Sequence, residues 1–379
     1  MYYKEDWESA RKRLELFWNE GEITDRPCVA VFAPRKTSRL PSFPELQWGP
    51  WLGGLETLAD DDEKTIREWW VDPEQNYARM QTWFENTWFG GEAIPCTYVN
   101  WGAMAMASFY GSPAVFKKTS VWYPEVIRDW DEWKWDFDRA KNKYWLQTLD
   151  IVKLLLERNK GRYFIGTPEL GTAGDLLSLM RGMDNLALDI LDRPEEIKRA
   201  ISLLGDTNVE LSEQVYHMTY EANDKGGVLA WMSLWSPGRQ SQLACDFSTV
   251  ISPDLFKEFF IGEIEKEAAW GDYATYHLDG PDALRSHLDT LLAIPSINTI
   301  EWTPGAGSPP TYTPEYLPAY RKIQQAGKRL YLLAEPEEIE PLMAELSPKR
   351  LFLCTHADSQ EEGESLLEKI AGWTRNMPT

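Results

Sequence analysis

In the stretch YATYHLDGPDALRSHLD, residues 273–289, His277 and Asp279 stand two residues apart, just before Gly280-Pro281. An imidazole titrates near neutral pH and binds metals through a neutral ring nitrogen. A carboxylate beside it can share a metal, orient the ring or exchange its proton. Side chains two apart on a strand leave from the same face, so a strand reaching Asp279 would aim both groups together. The same residues allow a plainer reading: Asp before Gly-Pro is good turn chemistry, and a histidine can be a hydrogen-bonded core residue. Glu301, after the apolar INTI, is too deep in a strand-like run to be mere solvated surface. Asp246 follows Cys245 near another candidate strand end, and Glu169 and Glu335 each neighbour a proline. Two of these carboxylates flanking a sugar would be glycosidase chemistry.

Elements must hold these groups in place. Apolar runs fall at 28–34, 93–100, 162–169, 226–233, 273–280, 296–305, 328–335 and 350–358, with a further short one at 245–252. Helical patterns separate most of them. The segment 138–161 ends on Gly161, and 192–223 begins with a proline and two acids. Ser252-Pro253 opens 252–271, and Ser359 with Glu362 gives 359–373 the capping-box spacing. Repeated βα units predict a parallel sheet. About eight of them, with no GxGxxG after the first strand, predict one (β/α)8 TIM barrel over 1–379 with an insertion at about 36–92. A barrel gathers its chemistry at the strand C-termini. That nominates His277, Asp279, Glu301 and Asp246 as catalytic groups, and Arg35, Trp231, Trp235 and Trp302 as substrate-binding ones.

Composition limits the partners. The 379 residues carry a formal charge of −21, which disfavours nucleic acid and strongly anionic substrates. No apolar run reaches the length of about 18 residues needed to span a bilayer, and the charged N-terminus has no secretory apolar core. The four cysteines, Cys28, Cys96, Cys245 and Cys354, are scattered, as expected of a cytoplasmic protein. The 19 tryptophans are enough to wall a pocket as well as fill a core, and an indole-lined pocket suits a flat or sugar-like ligand.

The order of DRPCVAVFAPRK (25–36), GDLLSLMRGMDNLALDILDRPEEI (174–197), CDFSTVISPDLFKEFF (245–260), the HLDGPD segment and FLCTHADSQEEGESLL (352–367) resembles the uroporphyrinogen decarboxylase superfamily over nearly the whole chain. That superfamily includes zinc- and corrinoid-linked methyltransferases. The resemblance implies a barrel, often a homodimer, with a deep cleft. It departs from the decarboxylases, whose Arg-rich motif after the first strand becomes APRK here, so that Arg35 alone could grip a carboxylate. It departs from the methyltransferases too: His277-Leu278-Asp279 stands where they carry His-x-Cys, and Cys354 falls near their second cysteine. His277, Asp279 and Cys354 are all acceptable zinc ligands. The expectation is methyl transfer from a small methylated compound to a corrinoid on a separate partner protein. Uroporphyrinogen decarboxylation and a Trp-lined sugar-binding or glycoside-hydrolase barrel are the alternatives.

Overall fold

The computed structural model describes residues 1–39, 55, 58–59 and 62–376, so part of the expected 36–92 insertion lies outside the described residues. The strands are β1 (Cys28–Pro34), β2 (Thr87–Gly91), β3 (Cys96–Thr97), β4 (Val115–Phe116), β5 (Val121–Trp122), β6 (Phe164–Ile165), β7 (Gly227–Leu229), β8 (Leu234–Ser236), β9 (Gln240–Leu243), β10 (Tyr273–Asp279), β11 (Thr299–Thr303), β12 (Arg329–Leu333) and β13 (Leu351–His356). Seven form one sheet in the order β2-β1-β13-β12-β11-β10-β9. It is parallel except where β2 runs against β1. Helices Gly280–Leu292, Leu317–Gln325 and Pro336–Glu345 make the crossovers that parallel neighbours require.

Among the described residues, the hydrogen-bonded ladders do not draw the closed eight-stranded barrel expected from the sequence. β3 pairs with β6, β4 with β5 and β7 with β8 as separate two-stranded pieces. These strands are only two or three residues long. Pro95 and Pro168 flank β3 and β6, where proline cannot donate to a ladder, and a 3₁₀ turn at Ala230–Met232 ends β7. The run at 245–252 is a 3₁₀ turn, Asp246–Val250, not a strand.

Local chemistry accounts for the helix ends. Ser252 caps Pro253–Phe259 by accepting from Leu255 N, and Ser359 caps Gln360–Arg375 through Glu362 N. Asn142 caps Lys143–Asn159 through Tyr144 N and Trp145 N, so this helix starts five residues later than its pattern suggests. The segment 252–271 divides at Phe260 into two helices.

Strand alternation sorts side chains into two layers. Val29, Val31, Ile300, Trp302, Leu330 and Leu353 pack beneath the helices. Cys28, Ala30, Phe32, Tyr331 and Phe352 face the opposite side. There the helix Trp7–Asn19 lays Trp7, Leu14, Phe17 and Trp18 over one end of that inner layer. Trp18 Nε1 donates to Trp235 O at 2.7 Å, and Arg329 Nε donates to Phe17 O at 2.7 Å.

At the β1–β2 edge, Glu92 has no exposed surface. It accepts from Arg26 Nη1 at 2.6 Å, Arg13 Nε at 2.5 Å and Val29 N at 2.7 Å. Burial pushes its pKa up, but the charges and hydrogen bonds of Arg26 and Arg13 outweigh burial, and the net shift is down. A depressed carboxylate contributes stability that is complete above its ordinary value of 4.5 and is lost as the pH falls through the folded value. Glu92→Ala should therefore cost about 3–5 kcal/mol at pH 7, because it leaves buried guanidinium groups unpaired. The gap to wild type should narrow on acidification below pH 4.5. Urea unfolding at the two pH values measures both; a gap below about 1 kcal/mol, or one indifferent to pH, would contradict this account.

Candidate functional site

β10 runs to Asp279, so His277 and Asp279 share the inner face as their spacing requires. The parallel register pairs His277 with Glu301 and Asp279 with Thr303. Glu301 has no exposed surface. One of its oxygens bonds His277 Nδ1, and the other accepts from Thr303 Oγ1 at 2.7 Å. Glu301 thus sits behind the imidazole, fixes its orientation and leaves Nε2 as the free edge.

Asp246 arrives from the 3₁₀ turn after β9. Asp246, His277 and Asp279 each offer an atom within 4.8 Å of the others. The turn is held by Asp175, a buried residue that sequence reading missed. Its Oδ1 accepts from Phe247 N at 3.0 Å and its Oδ2 from Thr172 Oγ1 at 2.9 Å. The only local signal was an aspartate in the first turn of a helix, and its partner lies 72 residues away.

The plainer reading of Asp279 does not match its surroundings. It precedes the helix Gly280–Leu292, yet its side chain makes no capping hydrogen bond. Its buried Oδ1 has no hydrogen-bond partner. Such an atom costs about 1–3 kcal/mol unless something else satisfies it. An oxygen left open beside an imidazole and a second carboxylate fits a cation, and the O/N donor set of Asp246, His277 and Asp279 suits zinc.

Charges in the cluster shift one another. Burial lowers the His277 pKa, but Glu301, then Asp246 and Asp279, outweigh it and raise it to about 9. Asp279 is raised by burial and by Glu301, against His277. Asp246 is exposed at the rim but crowded by protein. Its carboxyl is raised by desolvation and by Asp279 and Glu301, again against His277. Glu169 stands nearby and is pushed up to about 7, by burial first, with His277 opposing.

A cavity of about 450 Å³ borders the cluster. Trp231 lines it and meets His277 edge-on, with ring centroids 5.4 Å apart and planes at 87°. Thr303 and Gly305 also line it. A second cavity of about 300 Å³ holds Glu169 among Trp69, Trp70, Tyr77 and Tyr98.

Other nominated residues lie elsewhere. Trp302 is one step from Glu301, so it faces the helices and packs on Tyr316 at 5.2 Å with no exposure. Trp235 is buried against Trp7 and donates to Asn223 O at 2.8 Å, away from the cavity lining. Arg35 is held by Glu5 at 2.9 Å, Tyr3 O at 2.8 Å and Thr87 O at 3.0 Å. Its donors are committed to the protein. Cys354 lines the cavity but does not join the three-residue cluster, and burial pushes its thiol up to about 11.

Glu301→Gln should drop the His277 pKa well below 9 in protein freed of metal by chelation, because it removes the dominant charge that raises it. A histidine whose folded pKa is raised contributes stability that is complete below about 6.5 and is lost as the pH rises through 9. The variant should therefore lose most stability relative to wild type at or below pH 6.5. Imidazole NMR titration and denaturation at pH 6 and 10 test this; an unchanged His277 pKa would refute the pairing.

No protein-family model and no curated protein matches the chain. Among the described residues, no helix is long and apolar enough to cross a membrane. Among solved structures, a methyltransferase from Methanosarcina mazei superposes with a TM-score of 0.59. The likeness covers 96% of this chain and 98% of the other at 13% identity, and so shows a shared α/β fold.

Proposed function

We propose that this chain is a (β/α)8-barrel enzyme of the uroporphyrinogen decarboxylase type. In this reading it moves a methyl group from a small methylated compound to a corrinoid carried by a separate protein. The observation that carries the reading is the convergence of Asp246, His277 and Asp279 at the C-terminal strand ends, with Glu301 behind the imidazole and a cavity alongside. The near full-length likeness to a structure named as a methyltransferase supports it. So does the inner cluster, in which residues of β3, β6 and β7 are buried together with those of β1, β12 and β13.

Asp246, His277 through Nε2, and Asp279 would hold zinc. Zinc bound there supplies a Lewis acid that stabilises negative charge on the departing heteroatom. The protein's own groups do the rest. Glu301 keeps the imidazole in register, Thr303 keeps Glu301 in place, and Asp175 secures the turn carrying Asp246. Trp231 walls the donor beside the cluster. In the absence of the metal, the carboxylates and His277 could instead exchange the proton that the leaving group needs.

Uroporphyrinogen is disfavoured by the same cavity, since none of its described lining residues is Lys or Arg to meet the substrate's carboxylates. A cytoplasmic homodimer completes the proposal, and light scattering tests the oligomeric state.

Purified protein should contain about one zinc per chain by elemental mass spectrometry, and His277→Ala and Asp279→Ala should each lose most of it. Methylation of free Co(I) cobalamin by a methylated donor should fall at least a hundredfold in either variant. Metal-free protein with no corrinoid methylation would sink this reading.

A further inference from the structure

Asp246, His277 and Asp279 reach their cluster by different routes. His277 and Asp279 ride on β10, and its ladder to β11 fixes them. Gly305, at φ +81°, packs close against Asp279, where a Cβ would lie 3.0 Å from Oδ1. Asp246 instead stands at the start of the 3₁₀ turn Asp246–Val250. Short 3₁₀ turns have poor hydrogen-bond geometry of their own. Asp246, Thr249 and Val250 are exposed, while Phe247 and Ser248 are buried. The buried middle is where such a turn can be held.

It is held from two sides. Asp175 Oδ1 accepts from Phe247 N on one side. On the other, His287 Nε2 lies 2.9 Å from Ser248 O. A carbonyl oxygen only accepts, so the proton is on Nε2. Nδ1 is buried without a hydrogen-bond partner. Burial lowers the His287 pKa against the opposing effect of the Ser248 bond, which makes the working ring a neutral imidazole. Among the described residues, Ser248 O otherwise accepts only a longer backbone bond, from Ile251 N at 3.3 Å.

Filling the core does not account for this histidine. It is 1% exposed, its ring centroid lies 4.6 Å from that of Phe256, and Leu284, Leu288 and Leu291 are buried on the same helix. A hydrocarbon side chain would occupy that volume without burying an unpartnered ring nitrogen. What the histidine adds is one directed hydrogen bond to the Asp246 turn. Its position gives that bond its effect. The helix Gly280–Leu292 starts directly after Asp279, and His287 lies about two turns, roughly 10 Å, along it. One helix therefore leaves the cluster at Asp279 and returns to it through Ser248.

We propose that His287 is a positioning residue. Its Nε2–H bond to Ser248 O ties the turn carrying Asp246 to the helix that begins at Asp279, and so fixes the separation of the two carboxylates beside His277. Zinc takes carboxylate oxygens at about 2.0–2.2 Å, so its affinity reports small displacements of Asp246. That consequence rests on the metal reading of the cluster; the anchoring does not.

Three variants of the full chain test this. His287→Leu removes the donor at similar bulk. His287→Gln keeps an amide that can donate to the same carbonyl. Leu291→Ala weakens the same helix one turn further on. Amide hydrogen exchange is read at Phe247 relative to Trp302 on β11, and zinc affinity by competition with a chelating dye. His287→Leu should speed Phe247 exchange at least tenfold relative to Trp302 and weaken zinc at least tenfold. His287→Gln should bring both back to within about threefold of wild type, and Leu291→Ala should leave both near wild type. An exchange ratio unmoved by His287→Leu, moved equally by Leu291→Ala, or not restored by glutamine overturns the proposal. Wild-type protein that binds no zinc defeats the metal reading, and the exchange ratio then decides the anchor alone. A ratio that responds while zinc affinity holds supports the anchor and removes Asp246 from the ligand set.

Discussion

A carboxylate with no exposed surface cannot remain charged without partners, and the site is built around that constraint at Glu301. The β10–β11 register supplies His277 directly opposite, and Thr303 two residues further along supplies the second hydrogen bond. With Nδ1 engaged, the imidazole can turn only Nε2 toward Asp246 and Asp279. A slip of one residue in this register would put Trp302 where Glu301 lies and send the carboxylate among the helices. The packing of Trp302 on Tyr316 on the helix side makes that slip costly. Core packing on one face of β11 therefore sets the geometry of chemistry on the other.

The long strands were legible because apolar content and alternation coincide in them. β1, β10, β11, β12 and β13 lie within the runs read from the sequence. β9 was not legible. Its sequence, QSQL, is polar, yet Gln240 and Ser241 are buried. Gln240 Nε2 donates to Thr275 Oγ1 at 2.7 Å, and Ser241 Oγ donates to Glu267 O at 2.8 Å. Hydropathy cannot see polar groups that satisfy one another inside a fold. The short strands were harder to read for a related reason: β3 and β6, and β7 and β8, pair only as two-stranded pieces apart from the main sheet.

At the site, His277 and Asp279 were legible from spacing, and Glu301 from its place in an apolar run. Trp302 could have been rejected on the same grounds that placed Glu301, because adjacent strand residues face opposite ways. Trp231 and Trp235 have the same residue type and neighbouring positions, but only the 3₁₀ turn at Ala230–Met232 decides which ring reaches the cavity. Asp175 and Gly305 act through partners distant in sequence, and no local pattern marks them.

The segment Thr303–Thr311 roofs the cavity with Pro304, Gly305, Ser308, Pro309 and Pro310, and belongs to no helix, with only Thr303 in a strand. The groups fixed by register lie beneath it on β10 and β11. Substitutions in the roof can reshape the pocket without disturbing the ladder that orients His277. Selection could therefore explore new ligands in this loop while the inner machinery stays constant, and divergence among chains of this fold should concentrate there before it reaches the strands.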